Sequence, residues 1–354
     1  MIQQKGFQEF WQGKRVFLTG HSGFKGSWLY FWLREMGADV TGYSLRPNEN
    51  QILSSLLKIP TKSHDNLIDI LNLDKKILDA EPEIIFHLAA QPLVIDSINN
   101  PIDTFHSNIV GTINLLECIK HKKNIKSVVI VTSDKCYALP DSNIRLNEFA
   151  PLGGNDPYSV SKACCELVVN AYKKTFFDDS SSPKIVTARS GNVIGGGDFS
   201  LNRIIPDIIR ALESNNKIFI RNPNHVRPWQ HVLDPIYGYM LLAKYQFEEK
   251  ALSPSYNFGP SISKDMNVRD LVTEFKKHFR NITVELLADS QEVSVESNYL
   301  SLDSSIAKRD LNWASKFQFE QAVSLTAEWY NSYLNGCNMS AVTLKQIQLF
   351  ANEV

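Results

Sequence analysis

Short apolar runs alternate with segments of helical spacing along the first 190 residues. The runs are rich in Val, Ile, Leu and Phe and have the length of buried strands. Between them, apolar residues recur every three or four positions, which predicts amphipathic helices. This alternation predicts an α/β fold with a doubly wound parallel sheet. The predicted strands are 15–20, 39–45, 83–90, 127–133 and 184–190, and the main predicted helices are 26–37, 104–121 and 158–177.

The pattern loosens after residue 190, where Gly and Pro are more frequent and the apolar runs are shorter. We therefore predict a dinucleotide-binding Rossmann domain over 1–190. A smaller, interleaved, mixed α/β domain that binds substrate is predicted over 191–354. Residues 228–258 are predicted to return to the first domain.

Composition narrows the class of protein. The 354 residues carry a net charge of −1, with 43% hydrophobic and 21% charged residues, as in a globular protein. Basic clusters such as 120–123 are short, so we predict no nucleic-acid partner. The polar N-terminus and the absence of a long apolar run predict a cytoplasmic protein without a membrane partner. Five cysteines without a CxxC pair, and histidines without HxxxH spacing, predict no metal site.

A glycine-rich stretch, LTGHSGFKGSW, joins the first predicted strand to the first predicted helix. Gly20, Gly23 and Gly26 give it a GxxGxxG spacing. Glycine allows a tight turn and lets backbone N–H groups approach a pyrophosphate at the helix N-terminus. Because the loop follows a strand and precedes a helix, we predict that it binds a dinucleotide, with Phe24 and Lys25 at the same site.

The end of the second predicted strand decides which dinucleotide is bound. A carboxylate about 20 residues after the glycines usually holds the adenosine ribose. Here the segment offers Ser44 and Arg46, with no carboxylate before Glu49. Arg46 would suit the 2′-phosphate of NADP, or it would stack on adenine or point to water. Both alternatives stay open.

Tyr158 and Lys162 in YSVSK lie at i and i+4, on one face of a predicted helix. An ammonium beside a phenol lowers the pKa of the phenol, so we expect Tyr158 to act as a general base. Ser133, at the end of an earlier strand, would donate a hydrogen bond to the same substrate oxygen. With the glycine loop upstream, these three residues predict hydride transfer between a sugar hydroxyl and a nicotinamide.

Asp134 and Lys135 follow Ser133 directly, and simple hydride transfer does not need them. Oxidation of a sugar at C4 makes its C5 proton acidic. A base could then remove that proton while an acid protonates the C6 hydroxyl, and water would leave. The pair therefore favours oxidation followed by elimination, although Asp134 and Lys135 could also pair in a surface turn.

On these motifs the sequence resembles the extended short-chain dehydrogenases/reductases and, within them, the CDP-glucose 4,6-dehydratases. Further blocks carry the resemblance: EPEIIFHLAAQPLV, TSDKCY, GGNDPYS, ARSGNVIGGGDF, RIIPDIIRAL and IRNPNHVRPWQHVL. The resemblance implies conversion of CDP-glucose to CDP-4-keto-6-deoxyglucose in deoxysugar biosynthesis for O-antigen or another polysaccharide. It also implies bound NAD, a nucleotide-sugar substrate and a homodimer or homotetramer built on the helices 104–121 and 158–177.

The resemblance also implies roles for individual residues. Asp134 would be the acid for the C6 hydroxyl, and Lys135 would stand where dTDP-glucose relatives keep the base for C5. Substrate contacts are implied for Asn192, Arg203, Arg227 and His231. Cofactor contacts are implied for Asp69, Ile70, Leu88, Ala89 and Ala90.

Two segments depart from the family pattern. After QPLV the family usually has an Arg, a polar pair and an aromatic residue, where this chain has Ile95, Asp96, Ser97 and Ile98. After TSDKCY it usually has a Trp-rich acidic stretch, where this chain has ALPDSNIRLNEFA (138–150). Both segments are expected near the sugar, so the reaction type is better supported than the sugar or the nucleotide.

Two other functions remain open from the sequence. A nucleotide-sugar 4-epimerase or 4-ketoreductase of the same fold would use Ser133, Tyr158 and Lys162 alone. A non-catalytic Rossmann protein that senses NAD(P) would need none of the three.

Overall fold

The computed structural model describes residues 2–61, 65–140, 143–214, 216–220, 222–261, 265–279, 283–286 and 297–353. The strands in these ranges are β1 Arg15–Thr19, β2 Asp39–Tyr43, β3 Ile84–His87, β4 Ser127–Val131, β5 Lys184–Ser190, β6 Val193–Ile194, β7 Ile218–Ile220, β8 Gln230–His231, β9 Ser255–Phe258 and β10 Val284–Leu286. The helices are α1 Ile2–Trp11, α2 Phe24–Glu35, α3 Leu53–Leu56, α4 Ile70–Ala80, α5 Val94–Asn99, α6 Pro101–Phe105, α7 Gly111–Ile119, α8 Pro157–Phe176, α9 Ile204–Glu213, α10 Leu233–Phe247, α11 Val268–Lys276, α12 Ser305–Leu311, α13 Phe319–Leu334 and α14 Met339–Glu353.

Six strands form the central sheet, in the order β2-β1-β3-β4-β5-β9. Every neighbouring pair in it is parallel. The chain leaves β2 at one edge and returns on the other side of β1, so the strand order reverses between β1 and β3. Ligands of such sheets bind at this point, outside the carboxyl ends of the strands. The predicted doubly wound parallel fold is confirmed.

Burial on both faces explains why these strands have continuous apolar sequences. All five residues of β4 are buried. Val129 and Val131 pack into the cluster that contains α2, α10 and α13, while Val128 and Ile130 pack into the cluster with α4 and α7. Alternate residues thus serve opposite faces, and a sheet covered on both faces needs apolar residues at every position.

The predicted helix 104–121 is interrupted in the structure. A π-helical turn at His106–Val110 separates α6 from α7. Within this turn Asn108 is buried, and its amide donates to the Ser161 hydroxyl at 2.8 Å and to the Gln91 carbonyl at 3.1 Å. Such turns are frequent at functional sites, and this one joins the segment after β3 to α8.

The second half of the chain contributes to the central sheet and also forms small pairs of its own. Strand β9 pairs with β5, and α10 packs on β4 and β5. The pairs β6–β8 and β7–β10 are parallel and lie outside the central sheet. The predicted domain boundaries stay a prediction. Within the described ranges, no helix combines the length and apolar character that crossing a bilayer requires.

Candidate active site

The glycine loop lies where the strand order reverses. Gly20 has φ +75°, and a Cβ there would lie 2.6 Å from the backbone nitrogen of Ala89. A Cβ on Gly26 would lie 2.0 Å from the carbonyl oxygen of Gly20. Both positions therefore need glycine, one for the turn and both for the close approach of the backbone. The predicted loop residues and Ala89 are brought together in space.

The loop opens onto the N-terminus of α2. Gly23 precedes the helix and has no side chain to cap it, and the first N–H groups of a helix have no partner within it. These donors and the positive end of the helix dipole suit a diphosphate. Phe24 and Lys25 form the first turn. The residues present therefore fit the predicted dinucleotide.

At the end of β2 the structure adds a carboxylate that the sequence did not indicate. Asp65 is buried, and its backbone N–H donates to the Ser44 carbonyl at 2.9 Å. The Ser44 hydroxyl is buried without a hydrogen-bond partner among the described residues. Arg46 lies exposed nearby along the chain. An unsatisfied hydroxyl beside a buried carboxylate suits a polar part of a ligand.

Asp69 and Ile70, the cofactor contacts implied on α4 and its cap, do not lie beside Ser44 as Asp65 does. Asp69 caps α4, and its carboxylate accepts from the Asn72 N–H at 3.0 Å. Ile70 is 39% exposed. The Asp65 carboxylate accepts a long hydrogen bond, 3.3 Å from the Asn72 amide, and Asp65 is buried with its backbone bound to Ser44. The geometry therefore favours Asp65 over Asp69, which caps a helix. Leu88 and Ala90 flank Ala89 after β3 and are half-buried.

Ser133, Tyr158 and Lys162 meet at the carboxyl end of β4, and all three are buried. The Ser133 hydroxyl lies close enough to the Tyr158 phenol to favour its ionised form. Lys162, one turn further along α8, donates from Nζ to the Val131 carbonyl at 3.2 Å. The helix is fixed by its cap, since Asp156 accepts from the Ser159 N–H at 3.0 Å. The structure thus brings together the three residues predicted for hydride transfer.

The expected effect of Lys162 on Tyr158 is wrong for this arrangement of side chains. Burial raises the pKa of the Tyr158 phenol to about 12, against the opposing influences of the Ser133 hydrogen bond and the Arg203 charge. Lys162 donates to a backbone carbonyl rather than to the phenol. Burial likewise lowers the pKa of Lys162. An additional positive charge is needed before Tyr158 can act as a base near neutral pH.

Asp134 and Lys135 lie in a 3₁₀ turn, Asp134–Cys136, directly after β4. Asp134 is 3% exposed. One of its oxygens, Oδ1, accepts from the Ser133 hydroxyl at 3.1 Å, while Oδ2 has no hydrogen-bond partner among the described residues. Burial raises the pKa of this carboxyl, and the charges of Lys135, Lys25 and Arg227 oppose that rise. A carboxyl of this kind holds its proton more readily than a solvated one, as an acid catalyst must.

A narrow cavity lies beside this turn and is lined by Lys135, Asp156 and Arg227, among others. Arg227 is buried and donates to the Val226 carbonyl at 2.8 Å. Two cations in one cavity suit an anionic substrate, as predicted for Arg227. Asn192 is half-buried, and its carbonyl accepts from the Gln230 N–H.

The other two predicted substrate contacts, Arg203 and His231, lie in different surroundings. Arg203 precedes α9, pairs with Asp198 at 2.8 Å and lies close enough to Tyr158 for their charges to interact. His231 is fully buried, with its ring against Trp28 and Phe317. Burial lowers the pKa of His231 to about 3. The structure therefore argues against His231 as a substrate contact and makes it a core residue.

Sequence reasoning missed a buried ionic network behind the site. Glu166 lies one turn beyond Lys162 on α8 and pairs with Arg189 of β5 at 2.7 Å. A charged residue inside the apolar run KIVTARS was the signal that could have revealed it, because a buried arginine needs a carboxylate. Within the described ranges, no group of three His, Cys, Asp or Glu residues is placed to hold a metal ion.

A Rossmann sheet, a glycine loop and a Ser–Tyr–Lys set at the strand ends together define the short-chain dehydrogenase/reductase class. The chain belongs to the family described as GDP-mannose 4,6 dehydratase, which matches residues 17–326. The prediction of a dehydratase of this class is confirmed.

Individual relatives show which members of this family the chain is similar to. The chain is 40% identical, over 96% of its length and 97% of the relative's, to a CDP-glucose 4,6-dehydratase of Salmonella typhimurium. Among solved structures, it resembles a dTDP-glucose 4,6-dehydratase of Streptomyces venezuelae with NAD bound (TM-score 0.76, 23% identity, 92% of this chain and 99% of that one). It also resembles a UDP-glucose 4-epimerase of Thermotoga maritima with UDP-glucose (TM-score 0.76, 20% identity, 90% and 99%). The two structural likenesses show the fold.

Proposed function

We propose that this chain is an NAD-dependent CDP-glucose 4,6-dehydratase that forms CDP-4-keto-6-deoxyglucose. The observation that carries the proposal is the buried Asp134, which stands beside Ser133 and Tyr158 and has one oxygen without a partner in the described part of the chain. Hydride transfer alone needs no such carboxyl. The 40% identity to a CDP-glucose 4,6-dehydratase supports the choice of substrate.

The glycine loop, the first turn of α2 and the segment around Ser44 and Asp65 would hold the cofactor. When bound, NAD⁺ would accept and return a hydride and would add a positive charge to a site where the Arg203 charge already opposes the rise in the pKa of Tyr158. The buried Asp65 carboxylate supports NAD, because it would repel the 2′-phosphate of NADP. Because of Arg46, NADP binding is to be tested as well. If Arg46 binds the 2′-phosphate, Arg46→Ala should weaken NADP binding far more than NAD binding.

Tyr158 and Ser133 act on the C4 hydroxyl. Ser133 holds the oxygen through a hydrogen bond, and Tyr158 removes its proton as the C4 hydride leaves. Lys162, fixed by Val131, supplies a cation one turn behind the phenol. This places the proton of the first step on Tyr158.

Asp134 acts in the elimination that follows. The C5 proton is taken by a base, with Lys135 as the candidate at the cavity wall. The C5–C6 double bond forms as the C6 hydroxyl leaves with the proton of Asp134, so one water is lost. Return of the hydride to C6 and of a proton to C5 completes a reaction with no net redox change.

The test separates the two half-reactions. Purified protein incubated with CDP-glucose should yield a product lighter by one water in mass spectrometry. Asp134→Asn keeps the shape of the side chain but cannot act as a carboxylic acid. It should show a single-turnover rise in reduced-nicotinamide absorbance without a dehydrated product.

Asp79→Asn, at an exposed position on α4, is the matched control and should behave as wild type. Loss of the absorbance rise in Asp134→Asn would move Asp134 to the oxidation step. A product of unchanged mass and inverted C4 would make the chain an epimerase. The predicted cytoplasmic location, homodimer or homotetramer and polysaccharide pathway stay predictions.

A further inference from the structure

The side chain of Lys25 leaves the cofactor loop and reaches the far side of the site. Lys25 is the second residue of α2, but its Nζ donates to the Ser190 hydroxyl at 2.7 Å. Ser190 ends β5 and its hydroxyl is 2.8 Å from that of Tyr239. Three strand steps, β1 to β3 to β4 to β5, separate the strand that feeds the loop from the strand that holds the ammonium.

This ammonium is half-buried and has no hydrogen-bonded carboxylate among the described residues. The charged groups that act on it are Asp134, Arg203 and Lys162. Burial is the largest influence and lowers the pKa of Lys25 to about 7, with Asp134 opposing. Partial burial without a carboxylate partner among the described residues costs a cation part of its solvation, so a purely structural role does not explain the position of Lys25.

The residues at the end of β5 link the Lys25 ammonium to Asp134. Gly191 follows Ser190, and a Cβ on Gly191 would lie 3.1 Å from Oδ2 of Asp134 and 2.3 Å from Pro228. Oδ2 is the carboxyl oxygen that has no hydrogen-bond partner within the described ranges. The groups that face Asp134 are the Ser133 hydroxyl and the cations Lys135, Lys25 and Arg227. Lys25 is the one of these cations that comes from the cofactor loop.

We propose that Lys25 is a positioning residue for the elimination step, whose side chain places a positive charge behind Asp134 and makes that carboxyl a stronger acid. The proposal rests on the proposed function. When Asp134 gives its proton to the leaving C6 hydroxyl, a carboxylate forms in a buried site. A cation already in place stabilises that carboxylate without any rearrangement.

The alternative is that Lys25 holds the cofactor diphosphate. The contact of Nζ with Ser190 argues against it, because it directs the ammonium to the β5 side. The two roles predict different losses. A diphosphate ligand affects cofactor binding, whereas a charge behind Asp134 affects elimination and its pH dependence.

The experiment compares Lys25→Gln with Ser190→Ala in the holoenzyme. Lys25→Gln removes the charge but can still donate to Ser190, while Ser190→Ala removes the hydrogen bond and keeps the charge. Cofactor content, the single-turnover rise in reduced nicotinamide, and the rate of dehydrated-product formation against pH are measured for both. Lys25→Gln should retain cofactor and the absorbance rise.

Elimination in Lys25→Gln should slow on the order of tenfold, a part of the ~10² to 10⁴ that acid–base catalysis supplies. Its decline at high pH should move to higher pH, because Asp134 without the cation keeps its proton longer. Ser190→Ala should leave that decline in place.

An unmoved pH profile in Lys25→Gln overturns the proposal, and so does loss of cofactor with an unmoved profile. If Lys25→Gln does not fold, Lys25→Met carries the same test, and unfolding of both would assign Lys25 a structural role and overturn the proposal. Failure of the proposed function is a different result, since wild type itself would then release no dehydrated product.

Discussion

Two clusters of charged and polar side chains of opposite character meet at α8. The catalytic cluster is defined as Ser133, Asp134, Tyr158, Lys162 and Lys25. Among the described residues, its two lysines have no carboxylate partner and one carboxyl oxygen of Asp134 has no hydrogen-bond partner. The Glu166 network, defined as Thr132, Glu166, Thr187, Arg189 and Tyr137, begins one turn beyond Lys162 and is fully paired at its carboxylate.

The pairing in the Glu166 network is complete because several elements converge on it. Arg189 donates to both carboxylate oxygens of Glu166, and Thr132 and Thr187 donate one hydrogen bond each. Tyr137 accepts from Arg189 and donates to Asn257. Burial alone would lower the pKa of Arg189, but Glu166 raises it above the ordinary value. Paired charges fix the ends of β4 and β5, whereas unpaired ones next to them are available to a substrate.

The largest expected effect of a substitution in either cluster is the loss of catalysis when Tyr158 of the catalytic cluster is changed. Tyr158→Phe keeps the buried ring but removes the phenol, so turnover should fall ~10² to 10⁴-fold. The unfolding temperature should change little, because the lost hydroxyl belongs to the catalytic cluster and not to the Glu166 network. Steady-state rates and thermal unfolding measure both. Turnover within a few-fold of wild type would remove Tyr158 from its role.

Glu166→Gln should have the opposite signature. It leaves the buried Arg189 cation without a carboxylate, which should cost about 3–5 kcal/mol of unfolding free energy. Urea denaturation measures that loss, with Glu320→Gln, at an exposed position on α13, as the control. A loss of activity without a loss of stability would place Glu166 in the catalytic cluster instead.

Lys25→Met should stabilise the protein, in contrast to Glu166→Gln. The pKa of Lys25 is about 7 in the folded chain against an ordinary 10.5. Between these values the unfolded chain binds more protons, so the wild-type contribution to stability rises with pH. Lys25→Met should therefore exceed wild type in unfolding temperature near pH 7, and the gap should narrow by about pH 9. A gap that does not depend on pH would contradict the unpaired state of Lys25.

The smallest expected effect tests one hydrogen bond of the Glu166 network. Thr187→Val keeps the shape and removes one of two donors to Oε2 of Glu166. Because Arg189 still satisfies that oxygen, the loss should be about 1 kcal/mol. Urea denaturation beside Glu166→Gln gives the comparison. A loss as large as that of Glu166→Gln would mean that the network depends on its hydroxyls rather than on its ion pair.

Local pattern was enough to predict the sheet and the meeting in space of the residues expected to carry out hydride transfer. Strands such as 127–131 are apolar at every position because both of their faces are covered, and this is visible in the sequence. Gly20, Ser133, Tyr158 and Lys162 lie at strand ends or at helical spacing, so their meeting at one edge follows from the parallel fold. The π-helical turn at His106–Val110 was not predictable, since its hydrogen bonds depend on Gln91 and Ser161 from distant segments.

Burial and partners between segments distant in the chain were decided by the tertiary structure. The sequence predicted a lowered pKa for Tyr158 from its spacing to Lys162, but desolvation outweighs that neighbour and raises the pKa. The sequence motif suggested that His231 contacts substrate, but His231 is a core residue. The positions of Asp65 and Glu166 depend on contacts with residues distant in the sequence.

Lys25 shows the division most clearly. Its position in the glycine loop, and so its place near a cofactor, follows from local sequence. Its contact with Ser190, 165 positions away, follows from the order of strands in the sheet. Spacing along the chain determines which residues share a face, because helix and strand geometry are local. Desolvation and charge depend on everything packed around a group, so they are determined only when the sheet and its helices have closed.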